Sequence, residues 1–239
     1  MRGSRYVAPA ASSNGLLTGL TSYWKFDNNG SGGVSFVDSH GGHDWTGLLP
    51  GRDAPLLGTG KLNGCIQVDP GGSETFVELL DPDTANTGAG GSFSISGWFN
   101  QATPREVMGM DRITDPGGDN DYSFYLDADG HPGLLIGGSD LSYPTLTHSE
   151  VATAGAWHFL VGYFNSSNNT LGLALDGGAF ETTSTLVGNL VDAGHLQIDA
   201  SSDNSMLDEF AFWAGRVLSI TDVAALYNSG AGLDYESFT

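Results

Sequence analysis

Residues 206–228 read MLDEFAFWAGRVLSITDVAALYN, and a strand pattern there runs directly into a helix pattern. Residues 207–213 are rich in apolar and aromatic side chains, which is typical of a β-strand that packs in a core. Residues 219–228 repeat apolar side chains at the i, i+3, i+4, i+7 spacing of one helix face, with Ser219 or Thr221 as the N-cap. We therefore predict one short amphipathic helix that docks on a sheet. The residues of its apolar face are Ile220, Val223, Ala224 and Tyr227.

The rest of the chain consists of short strand patterns and turns. Residues 92–99 alternate, with Phe93 and Ile95 on one face and Trp98 on the other. The intervals hold Gly, Asp, Asn and Ser, which favour hairpin turns. This pattern predicts an all-β fold, a two-sheet antiparallel sandwich with one short C-terminal helix. Further strand patterns lie at 20–26, 122–126, 157–164 and 170–175, and turns at 127–130, 165–169 and 176–178.

The charge balance excludes two classes of partner. The 239 residues include 28 acidic and 8 basic side chains, a formal net charge of -20. Nucleic-acid binding requires Lys and Arg to neutralise phosphates, and anionic membranes attract the same cations. No apolar run approaches the about 18 residues of a membrane-spanning helix. We therefore predict no nucleic-acid partner and no membrane insertion.

The two ends of the chain differ in pattern from the middle. Residues 1–15 are small and polar, include Arg2 and Arg5, and have no apolar period, which predicts an extended arm. No apolar segment follows these basic residues, so the sequence shows no export signal. Without an internal repeat, 16–233 is predicted to form one domain, followed by a tail at 234–239. The single Cys65 excludes an internal disulfide and reads as a buried, inert thiol.

Five segments together resemble the concanavalin A-like jelly-roll superfamily, which includes laminin-G-like domains, lectins and glucanases. They occur in the family's order and span nearly the whole chain. The resemblance implies two stacked antiparallel sheets and a history of binding glycans or proteins. Residues 15–27 (GLLTGLTSYWKFD) also resemble a segment of phage structural proteins. The segments are 19–27 (GLTSYWKFD), 38–44 (DSHGGHD), 92–99 (SFSISGWF), 157–163 (WHFLVGY) and 206–228.

The tryptophans suggest one glycan site. Four of the five lie in strand patterns and are expected to pack in the core or on a sheet face. Trp45 instead lies in a polar, Gly-rich stretch with His43 and Asp44, so we expect it to be exposed. An exposed ring there would stack on a sugar, which makes Trp45, His43 and Asp44 the candidate glycan-binding residues. Packing is the alternative for this ring as well.

No arrangement of residues predicts catalysis. Retaining glycosidases need two carboxyl groups about 5–5.5 Å apart. Asp208 and Glu209 would point to opposite faces of a strand, and Glu74 and Glu78 lack the central Asp of the related glucanases. A nucleophile elbow, a phosphate loop and a Cys/His metal cluster are also missing from the sequence. We therefore predict that the chain is not an enzyme.

Calcium is the one cofactor that the sequence suggests. Ca²⁺ binds six to eight oxygens from carboxylates, amides and carbonyls in loops. By the resemblance to laminin-G-like domains, Asp27, Asp38 and Asp208 would meet at one sheet edge and form the candidate metal site. The alternative is that these acids cap turns and face solvent. The net charge of -20 fits either interpretation.

Two functions stay open at this point. The first is a structural or interaction module of a virion, such as a capsid decoration, head-fibre or tail protein, assembled in the host cytoplasm. The arm at 1–15 would then bind capsid or tail subunits, or another copy in a homo-oligomer. The second is an extracellular bacterial lectin-like module that binds cell-surface glycans.

Overall fold

Fifteen strands and one α-helix make up the described part of the chain. The structure, a computed structural model, describes residues 15–28, 36–45, 47–48, 56–67, 75–79, 91–102, 108–113, 120–137, 143–184, 195–200 and 205–238. The elements are β1 (Leu20–Trp24), β2 (Gly47–Leu48), β3 (Leu56–Thr59), β4 (Gly64–Gln67), β5 (Thr75–Leu79), β6 (Phe93–Asn100), β7 (Met108–Ile113), β8 (Asn120–Leu126), β9 (Pro132–Ile136), β10 (Thr145–Thr147), β11 (His158–Asn165), β12 (Thr170–Leu175), β13 (Glu181–Ser184), β14 (His195–Ala200), β15 (Met206–Ala214) and α1 (Ile220–Tyr227).

The strands form two antiparallel sheets that stack face to face. One sheet has eight strands in the order β13-β12-β11-β6-β15-β4-β3, with β1 also paired to β15. Strand β4 pairs with the first residues of β15, and β1 pairs with residues 210–213 further along it. The other sheet has seven strands in the order β10-β9-β8-β7-β14-β5-β2. The predicted two-sheet jelly-roll sandwich is confirmed.

A β-bulge in β15 decides which of its side chains reach the core. The pairing with β6 shifts after Asp208, and Glu209 has a left-handed φ of 52°. Strict alternation would put Glu209 on the same face as Leu207. The extra residue instead turns Phe210 and Phe212 into the core beside Leu207, because a bulge changes the side-chain direction by one position.

Aromatic rings fill the space between the sheets. Phe93 of β6 stacks on Phe212 of β15 with 5.5 Å between ring centroids. Ile95 lies in the same cluster, whereas Trp98 belongs to a second cluster on the outer face of the eight-stranded sheet. The alternation predicted for residues 92–99 is confirmed.

Helix α1 covers part of that outer face. Ser219, one of the two predicted caps, accepts a hydrogen bond from the Asp222 N–H (3.2 Å), and the Asp222 carboxylate accepts one from the Ser219 N–H (2.8 Å). Val223 and Leu226 are buried, but Ile220 is 47% exposed. The helix is therefore confirmed, whereas the predicted docking face is wrong at Ile220 and at Ala224, both of which are exposed. Among the described residues, no helix has the length and apolar character to cross a membrane.

The last described residues are packed rather than extended as a tail. Tyr235 and Phe238 lie in a 3-10 turn, and their ring centroids are 4.9 and 5.3 Å from that of Tyr23 in β1. Phe238 is fully buried. Burial of these rings extends the domain to residue 238, so the boundary predicted at 233 is corrected. The predicted arm lies outside the described residues except for Gly15.

Three predicted turns connect adjacent strands in hairpins. Asp127 Oδ1 accepts hydrogen bonds from the N–H groups of Asp129 (2.9 Å) and His131 (2.8 Å), which fixes the β8–β9 connection as an Asx turn. Residues 165–169 connect β11 to β12, and residues 176–178 begin the connection from β12 to β13. Aspartate and asparagine oxygens thus stabilise the ends of these strands.

The close approach of β6 and the Phe210 ring gives the first prediction. A Cβ atom on Gly97 would fall inside van der Waals contact of the Phe210 ring, which is itself held between other aromatic rings. We expect Gly97→Ala to lower the free energy of unfolding by about 1–3 kcal/mol, because an overpacked core must shift. Urea denaturation measures this change. Gly15→Ala, with open space around its Cβ, is the matched control and should leave stability unchanged.

Candidate functional site

The loop of residues 36–45 is built around the Asp38 carboxylate. Asp38 Oδ1 accepts hydrogen bonds from the N–H groups of Tyr23 (2.8 Å) and His40 (2.9 Å), and Oδ2 accepts one from the His43 N–H (3.1 Å). The Asp38 N–H in turn donates to Asp44 Oδ1 (2.8 Å). These bonds attach the loop to β1, so Asp38 and Asp44 act here as structural acceptors.

The expected exposure of Trp45 is wrong. Its side chain is fully buried, and its ring lies edge-on to Trp24 with 5.6 Å between centroids. A β-bridge between Phe36 and Trp45 turns the ring inward, and burial of a large aromatic surface outweighs the polar local sequence. His43 supports the packing, since its carbonyl accepts the Trp24 indole N–H at 2.8 Å. The ring cannot stack on a sugar in this structure.

Asp27, Asp208 and Glu209 lie where β1 and β4 meet along β15. Asp27 Oδ1 accepts the Gly64 N–H (2.8 Å), and Asp208 Oδ2 accepts the Leu62 N–H (2.9 Å). Asp208 Oδ1 and Glu209 Oε2 are buried, and neither has a hydrogen-bond partner among the described residues. Loss of hydration raises the pKa of Asp208 to about 9, and the neighbouring Glu209 raises it as well.

The same environment acts on Glu209. Loss of hydration raises the pKa of Glu209 to about 8, although the Tyr23 hydroxyl donates a hydrogen bond to its carboxylate and opposes the shift. Burial therefore favours the protonated form of both acids in the folded chain. A protonated pair avoids placing two like charges in a site of low dielectric constant.

The predicted calcium ligands are engaged with backbone groups. Both Asp38 oxygens and one oxygen each of Asp27 and Asp208 accept N–H donors. Within the part of the chain that the structure describes, no group of three or more His, Cys, Asp or Glu side chains is placed to hold a metal ion. Carboxylates that already accept backbone N–H groups do not fit a calcium site that needs all three of them at once. Calcium binding by Asp27, Asp38 and Asp208 stays a prediction.

Of the two acid pairs considered for glycoside hydrolysis, the structure describes the side chains of Asp208 and Glu209. Asp208 is 0% and Glu209 is 4% exposed, so a polysaccharide cannot reach either carboxyl group. Glu74 and the side chain of Glu78 lie outside the described residues.

An open cavity lies elsewhere, at the edge of the sandwich. Its volume is about 250 Å³, and it lies between the segment that follows β10 and the turn that leads into β13. Phe180 forms one wall, and its ring meets Tyr163 edge-on with 4.9 Å between centroids. Gly172 lies beneath Tyr163, where a side chain would displace that ring. The lining residues are His148, Glu150, Leu175, Gly178, Ala179, Phe180 and Glu181.

Polar groups of the cavity are held by local hydrogen bonds. Glu181 accepts from both the N–H (3.1 Å) and the hydroxyl of Ser149, and these bonds lower the pKa of Glu181. His148 Nδ1 accepts the Glu150 N–H (3.1 Å), so a neutral imidazole carries its proton on Nε2. Nε2 lies 3.8 Å from Glu181 Oε1. The cavity therefore presents an ionised carboxylate, an imidazole donor and an aromatic face.

No pattern in the sequence predicted this cavity. Its residues come from two segments that begin about thirty positions apart, 148–150 and 175–181, and neither forms a binding motif. The one available signal was the run Ala179-Phe180-Glu181 directly after a Gly-rich turn, which places an aromatic residue beside an acid at a loop end.

The Asp38 loop gives the second prediction. Asp38→Asn replaces one carboxylate oxygen with an NH₂ group. That group would face a backbone N–H donor, which would then lack its acceptor. We expect the free energy of unfolding to fall by about 2–4 kcal/mol. Chemical denaturation measures it, with the exposed turn residue Asp129→Asn as the control of equal chemistry. Equal stability of the two variants would contradict the role given to Asp38.

The third prediction concerns Asp208. Its folded pKa of about 9 exceeds the value of about 4 in an unfolded chain, so the folded state binds more protons and stability falls as the pH rises between these values. Asp208→Asn cannot ionise, and we expect its free energy of unfolding to fall less than that of the wild type between pH 5 and pH 8. Thermal melts across this range measure the difference.

A calcium ion bound by Asp208 would change the expected effect of Asp208→Asn on stability. Asp208→Asn would then lower the melting temperature at neutral pH, and millimolar calcium would raise that of the wild type relative to EDTA, because a ligand that binds only the folded state stabilises it. Asp129→Asn serves again as the control.

Comparisons with known proteins agree with the fold. A search of curated protein sequences gives no match. Among solved structures, the binding domain of Paraclostridial mosquitocidal protein 1 matches with a TM-score of 0.63 and 15% identity over 89% of this chain and 52% of that one. The binding domain of botulinum neurotoxin DC in complex with SialylT matches with a TM-score of 0.66 and 14% identity over 91% and 52%. This chain therefore spans about half the length of those structures.

The family assignment comes from the sequence itself. The model of the concanavalin A-like lectin/glucanase superfamily matches residues 71–224, well over half of the chain. That range includes β6, β11, β15 and most of α1, which carry the resemblance noted from the sequence. The chain belongs to the concanavalin A-like lectin/glucanase superfamily.

Proposed function

We propose that this chain is a non-enzymatic glycan-binding module that holds a single sugar residue in the cavity beside Phe180. The cavity carries the proposal, because it combines an aromatic wall with polar groups in a space of about 250 Å³. Sites for small ligands are concave and mostly apolar, with a few placed polar groups. The volume is below that of a pocket for a drug-sized ligand, which favours one sugar ring over a longer chain.

The chemistry of the cavity matches that of a pyranose. The C–H face of a sugar packs on an aromatic ring, and Phe180 is half-buried and supported by Tyr163. The Glu181 carboxylate accepts hydrogen bonds from hydroxyl groups, and Nε2 of His148 donates one. Gly178, Ala179 and Glu150 are exposed, which leaves the entrance open to solvent.

The comparisons support the same class of function. The superfamily includes lectins, and the similar solved structures are binding domains of toxins, one of them in complex with SialylT. Binding of a cell-surface glycan, and with it an extracellular place of action, follows as part of this proposal. The burial of Asp208 and Glu209 supports a function without catalysis.

The virion role predicted from the sequence stays a prediction. It depends on the arm at 1–15 and its binding to capsid or tail subunits, or to another copy in a homo-oligomer, and residues 1–14 lie outside the described residues. A glycan-binding module is compatible with that location, since a particle that attaches to cells also needs a receptor-binding surface.

A glycan array followed by variant titrations tests the proposed function. We expect the wild type to bind a defined set of glycans and Phe180→Ala to weaken this binding at least tenfold, because the stacking surface is lost. Ile220→Ala, which also truncates an exposed apolar side chain but on α1, should bind as the wild type does. Unchanged melting temperatures confirm that each variant is folded.

Two results would contradict the proposal. One is a glycan that binds the wild type and Phe180→Ala equally well, which would place the site elsewhere. The other is hydrolysis of the bound glycan, which would show that the module is an enzyme.

A further inference from the structure

We infer that the cavity selects sugars that carry a free ammonium group and rejects sugars that carry a carboxylate. This inference rests on the proposed function and specifies the chemical class of its ligand. It follows from the charges that line the cavity and from the positions of the described cations.

The lining of the cavity has two carboxylates and no lysine or arginine. Glu150 and Glu181 both lie in the lining, and the hydrogen bonds from Ser149 lower the pKa of Glu181, which keeps this group ionised at neutral pH. Each Glu181 oxygen already accepts one hydrogen bond and has a second lone pair for a ligand. An anionic sugar would meet two like charges here, whereas an ammonium group would meet two acceptors.

The basic side chains that the structure describes are engaged elsewhere. Lys25 pairs with Glu236 and lies 3.8 Å from Asp234. Lys61 Nζ lies 4.6 Å from the centre of the Trp98 ring, and Arg216 lies 3.0 Å from Asp222. Among the side chains that the structure describes, no lysine or arginine is therefore placed to neutralise a carboxylated ligand in the cavity.

The charge of the whole chain acts in the same direction. The net charge of -20 attracts cationic ligands to the surface and repels anionic ones over a distance set by ionic strength. The local carboxylates then give selectivity, because a charge-assisted hydrogen bond is stronger than a neutral one.

The remaining walls favour a sugar over the lysine side chain of a basic peptide. Phe180 offers a flat apolar face, and His148 offers an Nε2 donor near Glu181. A pyranose with one ammonium group uses all three features at once, since its C–H face, its ring or hydroxyl oxygens and its ammonium group point in different directions. The linear chain of lysine uses only the carboxylates and the ring.

Three matched methyl glycosides test the inference at neutral pH and low ionic strength: methyl glucosaminide, methyl glucoside and methyl glucuronide. They share one ring and differ in carrying an ammonium group, no charge or a carboxylate. By calorimetry or NMR titration we expect methyl glucosaminide to bind at least tenfold more tightly than methyl glucoside, and methyl glucuronide to bind more weakly than both. Added salt should reduce the difference.

Variants assign the selectivity to the cavity. Glu150→Gln with Glu181→Gln removes both charges and keeps an acceptor oxygen at each position, and we expect the preference for methyl glucosaminide to disappear. Glu236→Gln removes a similar charge outside the cavity and should keep the preference. A melting temperature like that of the wild type confirms that the double variant is folded.

The outcomes separate this inference from the proposed function. Equal binding of methyl glucosaminide and methyl glucoside, with loss of both in Phe180→Ala, overturns the charge selectivity and leaves glycan binding in place. Tighter binding of methyl glucuronide, or binding of N-acetyl-lysinamide as tight as that of methyl glucosaminide, also overturns the inference. Failure of all three glycosides together with an empty glycan array overturns the inference and the proposed function.

Discussion

The pairing of β15 on both of its edges holds this domain together. One edge pairs with β6, and the other is divided between β4 and β1, so a late strand of the chain fixes two early ones. The bulge at Glu209 lies near the division between these two partners, and it turns Phe210 and Phe212 into the core. Without the bulge, an ionisable side chain would occupy a core position.

Two sets of acidic residues in the described part of the chain differ in their surroundings. Asp38, Asp208 and Glu209 are buried, and their oxygens accept hydrogen bonds from backbone or tyrosine donors. Such groups hold loops to strands and are out of reach of a ligand. Glu150 and Glu181 lie at the rim of an open cavity instead. The same residue type thus serves stability in one place and is available to a ligand, as the proposed function requires, in the other, because hydration differs.

The cavity lies at the edge of the sandwich, within residues 71–224 that match the family model. Strands of this range form the two sheets, whereas the cavity is lined mostly by the connections between strands. The turn that leads into β13 and the segment after β10 are connections at the surface, and binding residues are found on such connections more often than in core strands. A scaffold of this kind keeps its architecture while its loops set the ligand, which is why the family alone does not name the sugar.

The sequence by itself determined the sandwich, the late helix with its Ser219 cap, and the alternation of residues 92–99, because these follow from local spacing. Only the tertiary structure decided the positions of Trp45 and of the acids near β1. Trp45 stands in polar sequence, yet a bridge to Phe36 turns it into the core, where the energy of burial depends on distant rings. The cavity could not be predicted from the sequence either. Its lining comes from two separate segments, 148–150 and 175–181, which meet only when the sheets stack.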